Sequence, residues 1–194
     1  MLFRSWADLD SLIEAGKNSD REIFYGSAGA GTSHHIKTEL LKLNAGTDWT
    51  HVPYRGGAPA MTDLLAGHID FLFEPFPTGL SFVQSGRVQP IAISSLARSE
   101  LLPDVPTLNE LGLSDLEALI WFGLFAPAGT PEHALGILGA ALESAVQNPD
   151  HQKEFAERGL TTYTNSSDEF VGFVADEITR WGDVITEAEI SIEG

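Results

Sequence analysis

A glycine-rich stretch at residues 24–34 constrains the fold of this 194-residue chain more than any other feature. Phe24 and Tyr25 complete an apolar run that predicts a buried strand, and from Ile36 onward apolar residues recur at helical spacing. A strand that enters a helix through glycines presents backbone N–H groups and the positive end of the helix dipole at one point. The stretch therefore predicts a turn that can bind an anion such as phosphate, sulfate or carboxylate.

The same stretch does not complete the common nucleotide-binding motifs. It reads Gly-Ala-Gly-Thr-Ser-His from Gly29, so His34 stands where the dinucleotide motif G-x-G-x-x-G has its third glycine. No lysine follows Gly31, so the lysine of the phosphate loop is missing as well. These departures make a nucleotide site a weak interpretation, and a tight turn without any ligand is the alternative.

Strands and helices alternate regularly over the first half of the chain. Strands are predicted at 23–25, 50–53, 69–73 and 88–93, and helices at 8–16, from the glycine-rich loop to 46, at 59–67 and at 79–85. Such alternation is typical of an α/β fold with a parallel sheet and right-handed crossovers. The loops 26–33, 54–58 and 74–78 should then meet at the carboxyl edge of the sheet, where α/β folds bind ligands.

The second half of the chain is less regular. The pattern predicts a proline-rich passage at 98–107, a short helix at 108–111, a strand-like run at 116–125, a helix over 131–158 interrupted at Asn148-Pro149, a strand at 160–163 and a helix over 168–188. Thr130 is predicted to cap the first long helix, and Ser166 with Glu169 forms a capping box for the last. In that last helix Phe170, Val174, Ile178, Trp181 and Ile185 share one face.

Composition excludes several classes of function. The net charge of −17 repels nucleic acid and anionic lipid, so neither is an expected partner. No apolar run reaches the roughly 20 residues of a membrane span, so direct membrane insertion is not expected. The N-terminus lacks the layout of a signal peptide, and without cysteine there are no disulfides or thiol chemistry.

Five motifs, taken in chain order, resemble the substrate-binding proteins of tripartite tricarboxylate transporters, which are called the Bug or TctC family. They are Tyr-Gly-Ser-Ala-Gly-Ala-Gly-Thr at 25–32, His-Val-Pro-Tyr-Arg-Gly-Gly at 51–57, Leu-Leu-Ala-Gly-His-Ile-Asp at 64–70, Leu-Pro-Asp-Val-Pro-Thr at 102–107 and Trp-Phe-Gly-Leu-Phe-Ala-Pro-Ala-Gly-Thr-Pro at 121–131. Glu-Leu-Gly at 110–112 and the ending from Glu169-Phe170 to Trp181 match as well, so the resemblance extends from about residue 8 to residue 187.

This resemblance implies a type II periplasmic-binding-protein fold, in which a ligand lies between two α/β lobes. Residues 5–119 would form the complete second lobe, and 120–194 the hinge and the C-terminal half of the first lobe. Nothing in the chain resembles the opening segment of the first lobe, so we expect a truncated receptor with uncovered apolar helices that forms a homo-oligomer. The resemblance also implies membrane transporter subunits as partners, a periplasmic or other extracytoplasmic location, no catalysis and no cofactor.

The family binds carboxylates largely through backbone N–H groups and small hydroxyls, which agrees with the chemistry of the glycine-rich turn. The predicted ligand-binding residues are Ser27, Gly29, Ala30, Gly31, Thr32, Ser33, Tyr54, Arg55, Gly56 and Asp70. Alternatives exist for four of them. Thr32 or Ser33 could only cap its helix, Arg55 could be only solvated, and Tyr54 could be a core residue. Asp70 is interpreted as a strand-end residue near the mouth of the pocket.

Other chemistries find little support in the sequence. His34 and His35 point about 100° apart on a helix, and no third ligand follows at a metal-binding spacing, so no metal site is predicted. No serine lies in a G-x-S-x-G nucleophile elbow. Two functions stand beside the carboxylate receptor: an α/β enzyme that binds a phosphate or nucleotide, and an oligomeric interaction module without a ligand.

Overall fold

A computed structural model describes residues 2–3, 6–18, 21–113 and 116–190. The elements are β1 (Leu2–Phe3), α1 (Leu9–Asn18), β2 (Phe24–Ser27), α2 (Ser33–Ala45), β3 (Thr50–Pro53), α3 (Gly57–Ala66), β4 (Phe71–Leu72), α4 (Phe76–Gln84), β5 (Gln89–Pro90), α5 (Glu132–Gln147), α6 (Pro149–Glu157) and α7 (Ser167–Glu187). This is the predicted α/β alternation, followed by three helices. The outer limits of the two predicted lobes, residues 5 and 191–194, lie outside the described residues.

The five strands form one sheet in the order β3-β2-β4-β1-β5. β2 pairs in parallel with β3, where Phe24 lies opposite Thr50, and with β4, where Tyr25 lies opposite Phe71. β1 runs antiparallel between β4 and β5, so the sheet is mixed, although β5 has the same direction as β4. A two-residue strand shows no periodicity, which is why the sequence did not predict β1.

Two apolar clusters lie against this sheet. The first contains Leu12, Tyr25, Leu41, Trp49 and Phe71 and joins α1, α2 and the strands. The second contains Ala60, Met61, Leu64, Ile69, Leu72 and Val88 and lies under α3. Complete burial of one large apolar side chain is worth roughly 1.5–3 kcal/mol, so these clusters hold the strands and hence the loops in place.

Glycines end two of the helices as predicted, but not a third. Gly46 and Gly67 follow α2 and α3 in the left-handed conformation, with φ of 63° and 82°. The prediction that Gly16 ends α1 is wrong, because α1 continues to Asn18. A Cβ atom at Gly16 would lie 2.2 Å from Nε1 of Trp49, so this glycine makes room for the indole ring.

Several predicted boundaries shift by a few residues. α3 begins at Gly57, two residues before Pro59, and α4 begins at Phe76 rather than near residue 79. The predicted helix at 108–111 is only a turn, in which Thr107 and Glu110 exchange backbone-to-side-chain hydrogen bonds and which Gly112 ends with φ of 81°. β5 covers only part of the predicted strand 88–93, and beyond it Ile93 forms an isolated parallel bridge with Thr107.

The predicted strands at 116–125 and 160–163 are wrong, since neither described segment forms a strand, although the N–H of Ala118 donates to the carbonyl of Ser94 (3.3 Å). Thr130 does not cap α5, because its hydroxyl donates to the carbonyl of Pro127. The break at Asn148 and the capping box of α7 are confirmed. On α7 the most buried residue is Val184, which lies beside the predicted face rather than in it.

Residues 119–190 contact the rest of the described chain at several points. The guanidinium of Arg180 donates to the carbonyl of Glu117, and α7 packs against α2. Beside this junction the Lys37 ammonium donates to the carbonyl of Ala118. Gly159, with φ of 71°, lies so close to the ring of Phe76 that a Cβ atom there would be 2.3 Å from it. Among the described residues, no helix is both long and apolar enough to cross a membrane.

Candidate carboxylate site at the carboxyl edge of the sheet

The three predicted loops meet at the carboxyl edge of β2, β3 and β4. A Cβ atom at Gly29 would lie 3.4 Å from the carbonyl oxygen of Tyr54, so the first two loops are in contact. A Cβ atom at Gly57 would lie 3.6 Å from Nε2 of His34 and 3.7 Å from the carboxylate of Glu74, which joins all three loops. We call residues 28–34, 54–57 and 74–78 the binding edge.

The hydroxyls of Ser27 and Thr32 hold the glycine-rich loop in shape. The buried Ser27 Oγ accepts a hydrogen bond from the N–H of Gly29 (3.1 Å), and Thr32 Oγ1 donates to the carbonyl of Gly29 (2.7 Å). Gly29 and Gly31 have φ of 128° and 71°, values at which a Cβ atom is strained. Both hydroxyls therefore position the backbone, and Thr32 occupies the N-cap position of α2 without a side-chain cap bond.

The backbone of the loop supplies the donors that can face an anion. Ala30 and Ser33 are exposed, and helix geometry gives the N–H groups of Ser33 and His34 no acceptor within α2. The N–H of Gly31 differs, because it donates to Nδ1 of His35 (3.1 Å). The positive end of the α2 dipole lies behind these groups.

A network of ring side chains supports the loop from below, and sequence reasoning missed it. The rings of His35 and His51 stack with centroids 3.8 Å apart, and Nε2 of His51 lies 2.6 Å from Ser27 Oγ. The Tyr25 hydroxyl donates to Glu39, and its ring stacks on His51. The only signal in the sequence was the polar side chains that the apolar pattern placed on buried faces.

Burial sets the charge of this network. Burial, followed by the neighbouring His35, lowers the pKa of His51 to about 4, and burial also lowers the pKa of His35 against the opposing effect of Glu39. Burial and then the Glu39 carboxylate raise the pKa of the Tyr25 hydroxyl. Both imidazole rings are therefore neutral at pH 7, so they support the loop through stacking and hydrogen bonds rather than through charge.

Tyr54, Arg55 and Gly56 lie at the binding edge in different roles. The Tyr54 hydroxyl donates to Oδ2 of Asp63 (2.8 Å), and burial followed by Asp63 raises the pKa of Tyr54 to about 12. Its partly buried ring packs against the second apolar cluster, in agreement with the alternative interpretation as a core residue. Arg55 is exposed beside Gly56, which has φ of 119°, so its guanidinium can reach an anion in solvent.

The structure does not bring Asp70 to the binding edge. Asp70 precedes β4, and its N–H donates to the carbonyl of Phe24 at the start of β2 (2.8 Å). Its carboxylate binds the Arg21 guanidinium and the N–H of Phe24. Asp70 therefore lies at the amino edge of the sheet, about 10 Å along the strands from Ser27.

His34, Glu74 and Thr78 lie at the binding edge although the sequence did not predict them as site residues. Nε2 of His34 and Oε2 of Glu74 are 3.4 Å apart, and both side chains are buried. Thr78 Oγ1 donates to Oε1 of Glu74 (2.5 Å). Glu74 directly follows the predicted third strand, so its position was the available signal. Over the described ranges, no group of three or more metal-ligating side chains is found.

The binding-protein fold is also found among solved structures. The chain superposes on the Rpa4515 protein of R. palustris, solved with adipate, with a TM-score of 0.90, 29% identity and coverage of 98% of this chain and 64% of that one. It superposes on MatC from Rhodopseudomonas palustris, solved with bound malate, with a TM-score of 0.81 and 28% identity over 95% of this chain and 65% of that one. The mixed α/β architecture is thus that of periplasmic binding proteins.

Sequence comparison leads to the same family. The chain spans 55% of the length of two curated relatives that it matches. A third relative, the protein from the clcB–clcD intergenic region of Pseudomonas knackmussii, is 35% identical over 84% of this chain and 98% of its own length. The model of the tripartite tricarboxylate transporter family receptor matches residues 5–190. The chain therefore belongs to the tripartite tricarboxylate transporter receptor family.

Proposed function

We propose that this protein is the solute-binding component of a tripartite tricarboxylate-type transporter and binds a small carboxylate at the binding edge. The observation that carries the proposal is the backbone N–H groups of Ala30, Ser33 and His34, which lie at the start of α2 on a loop that Ser27 and Thr32 hold in shape. Charge-assisted hydrogen bonds from such groups are the usual way to hold a carboxylate. The adipate and malate bound to the two structural neighbours support this choice of ligand.

We further propose that the chain is divided between the two lobes of a receptor. Residues 5–119 act as one lobe, residues 120–194 as the hinge and part of the other, and the ligand occupies the cleft between them. The contact of Gly159 with Phe76 supports this division, because it places the C-terminal part of the chain beside the binding edge. Family membership supports an extracytoplasmic location and membrane transporter subunits as partners.

A receptor of this kind performs no catalysis. The nearest resemblance to catalytic chemistry is the pair of Ser27 and His51, which are 2.6 Å apart. Ser27 is completely buried and its Oγ accepts the N–H of Gly29, so it cannot reach a substrate. This observation favours the receptor over the alternative of a phosphate- or nucleotide-binding enzyme.

Titration calorimetry tests the proposal. We expect heat of binding from at least one of succinate, malate, adipate and citrate, and none from glucose, putrescine or ATP. Arg55→Gln should weaken carboxylate binding by about fivefold, since one exposed charge contributes roughly 1 kcal/mol. Arg87→Gln is the matched control, because Arg87 is also exposed but lies after α4, over the ring of Phe82. Preference for a sugar, a cation or a nucleotide over every carboxylate would contradict the proposal.

A further inference from the structure

His34 and Glu74 form a close polar pair inside the binding edge. They come from different loops: His34 lies in the first turn of α2, and Glu74 lies between β4 and α4. Nε2 of His34 is 3.4 Å from Oε2 of Glu74, and the two side chains are 10% and 7% exposed. The parallel pairing of β2 with β4 brings these loops together.

The facing atoms of this pair have no hydrogen bond. Both ring nitrogens of His34 and Oε2 of Glu74 are inaccessible to solvent and lack a hydrogen-bond partner among the described residues. Buried polar atoms in folded proteins are nearly always satisfied, and an exception points to a group that belongs there. A ligand atom that reaches the pair would supply the missing partner.

The surroundings hold Glu74 in place and leave its second oxygen without a hydrogen bond. Thr78 Oγ1 donates to Oε1 of Glu74 (2.5 Å), which fixes the carboxylate at the start of α4. Gly57 has no side chain and presents only backbone to the pair. A Cβ atom built at Gly57 would lie 3.6 Å from His34 Nε2 and 3.7 Å from both Glu74 carboxylate oxygens, which is van der Waals distance. Oε2 is therefore the acceptor that is oriented but unused.

The chemistry of the pair selects a particular kind of group. A glutamate oxygen repels a ligand carboxylate and needs a hydrogen-bond donor. A histidine nitrogen can donate or accept, depending on its tautomer. A hydroxyl satisfies both atoms at once, because it can donate to Oε2 of Glu74 and accept from Nε2 of His34. An ammonium group can donate to Oε2 of Glu74 but, unlike a hydroxyl, cannot accept a hydrogen bond from Nε2 of His34.

We propose that His34 and Glu74 form a subsite for a hydrogen-bond donor carried by the carboxylate ligand, so that the protein prefers hydroxycarboxylates to plain dicarboxylates. This inference rests on the proposed carboxylate-binding function and narrows its ligand class. The N–H groups of the glycine-rich loop bind the carboxylate, and the His34–Glu74 pair binds a hydroxyl on a nearby carbon.

Calorimetry with succinate and the two enantiomers of malate tests the subsite, because these ligands differ only in one hydroxyl. We expect the better malate enantiomer to bind at least tenfold more tightly than succinate. In Glu74→Gln, which keeps the shape but adds a competing N–H donor, and in His34→Gln, this ratio should fall below threefold. Aspartate, which carries an ammonium group where malate carries a hydroxyl, tests a charged donor. Its affinity should fall further than that of malate in Glu74→Gln, because the substitution removes the negative charge of Glu74.

Glu22→Gln is the matched control. Glu22 also accepts a threonine hydroxyl, from Thr50, but it lies at the amino edge of the sheet. The ratio of its affinity for malate to its affinity for succinate should equal that of the unmodified protein. Succinate binding as tightly as malate, or a ratio that persists in both Glu74→Gln and His34→Gln, would overturn the subsite and leave the carboxylate function standing. No heat from any carboxylate would overturn both.

Discussion

The two halves of the chain differ in how they use their apolar residues. Residues 6–118, which we call the sheet region, bury large side chains in two clusters against the sheet. Residues 119–190, the helical region, bury only Val184 among the large apolar residues that the structure describes there, while Phe122 is 82% exposed. Helices form in both regions from local signals, but burial requires a second surface, which in the described part of the chain the sheet provides.

The helical region meets the sheet region at the segment 116–118, where hydrogen bonds hold the two together. Arg180 and Lys37 both donate to carbonyls in the segment 116–118. Burial lowers the pKa of Lys37 to about 8, so its ammonium is partly desolvated at this junction. On α7, Glu177 accepts hydrogen bonds from the indoles of Trp121 and Trp181 (3.0 Å each). The junction is therefore specific in its hydrogen bonds, although the apolar faces beyond it are uncovered.

The same substitution in the two regions should give the largest contrast. Leu64 is completely buried and Leu124 is 57% exposed. Leu64→Ala should lower the free energy of unfolding by about 2–5 kcal/mol, because it removes buried methyl groups and leaves a cavity. Leu124→Ala should change it by less than about 0.5 kcal/mol. Urea unfolding followed by far-ultraviolet circular dichroism measures both, and equal losses would remove the distinction between the regions.

Alanine substitutions at two glycines of the helical region should change the free energy of unfolding in opposite directions. Gly159→Ala should lower the free energy of unfolding by roughly 1–3 kcal/mol, because φ is 71° and Phe76 fills the space of a Cβ atom. Gly136→Ala, in open space within α5, should raise it by roughly 0.5–1 kcal/mol through helix propensity. Thermal unfolding gives both values, and a neutral Gly159→Ala would mean that the helical region does not rest on Phe76.

Acid should weaken the sheet region specifically. The unfolded chain protonates His51 near pH 6.5, whereas in the folded protein burial holds the pKa of His51 at about 4. Stability from this group is therefore complete above pH 6.5 and is lost as the pH falls towards 4. The loss is about 1 kcal/mol once solvent screening is allowed for.

Urea midpoints between pH 7 and pH 4 test this expectation. His51→Gln should flatten the profile, because glutamine keeps a polar partner for Ser27 but does not titrate. His68→Gln is the control, since His68 is exposed beside Asp63 and lies outside the ring network. A profile that is the same in His51→Gln and in the unmodified protein would contradict the assignment.

Self-association through the helical region should show the smallest effect. Its exposed apolar faces favour contact with a second copy, whereas thirteen acidic and three basic residues in 121–194 oppose it. Association should therefore strengthen as salt rises and screens this repulsion. Sedimentation velocity at 50 mM and at 500 mM NaCl compares the two conditions, because this rise in salt shortens the Debye length about threefold. A monomer at both, with no binding of an apolar dye, would contradict the expectation.

Much of the sheet region could be predicted from the sequence because its signals are local. Alternating apolar patterns gave β2, α2, β3 and α3 in order, and Gly46 and Gly67 marked helix ends through their left-handed conformation. The meeting of three loops followed from parallel topology alone. The same rule places Asp70, which precedes its strand, at the opposite edge, so this position could have been inferred.

Other features depend on contacts that no local pattern reports. Gly16 lies within α1, where its lack of a side chain makes room for Trp49. The predicted strand at 116–125 makes one backbone hydrogen bond, from Ala118 to Ser94, and does not join the sheet. The His34–Glu74 pair joins residues forty positions apart, which only the register of β2 and β4 brings together. In the helical region the local signals sufficed for the helices, but they could not tell which faces would be covered.

Chemical-shift mapping of the amide resonances during a titration with succinate tests the central claim, that the carboxyl edge of the sheet binds carboxylates, most directly. We expect the largest shifts on residues 29–34, 55–57 and 74–78, with small shifts on Asp70 and along α5 and α6. Shifts centred on the amino edge near Asp70, or spread over the helical region without the glycine-rich loop, would contradict it.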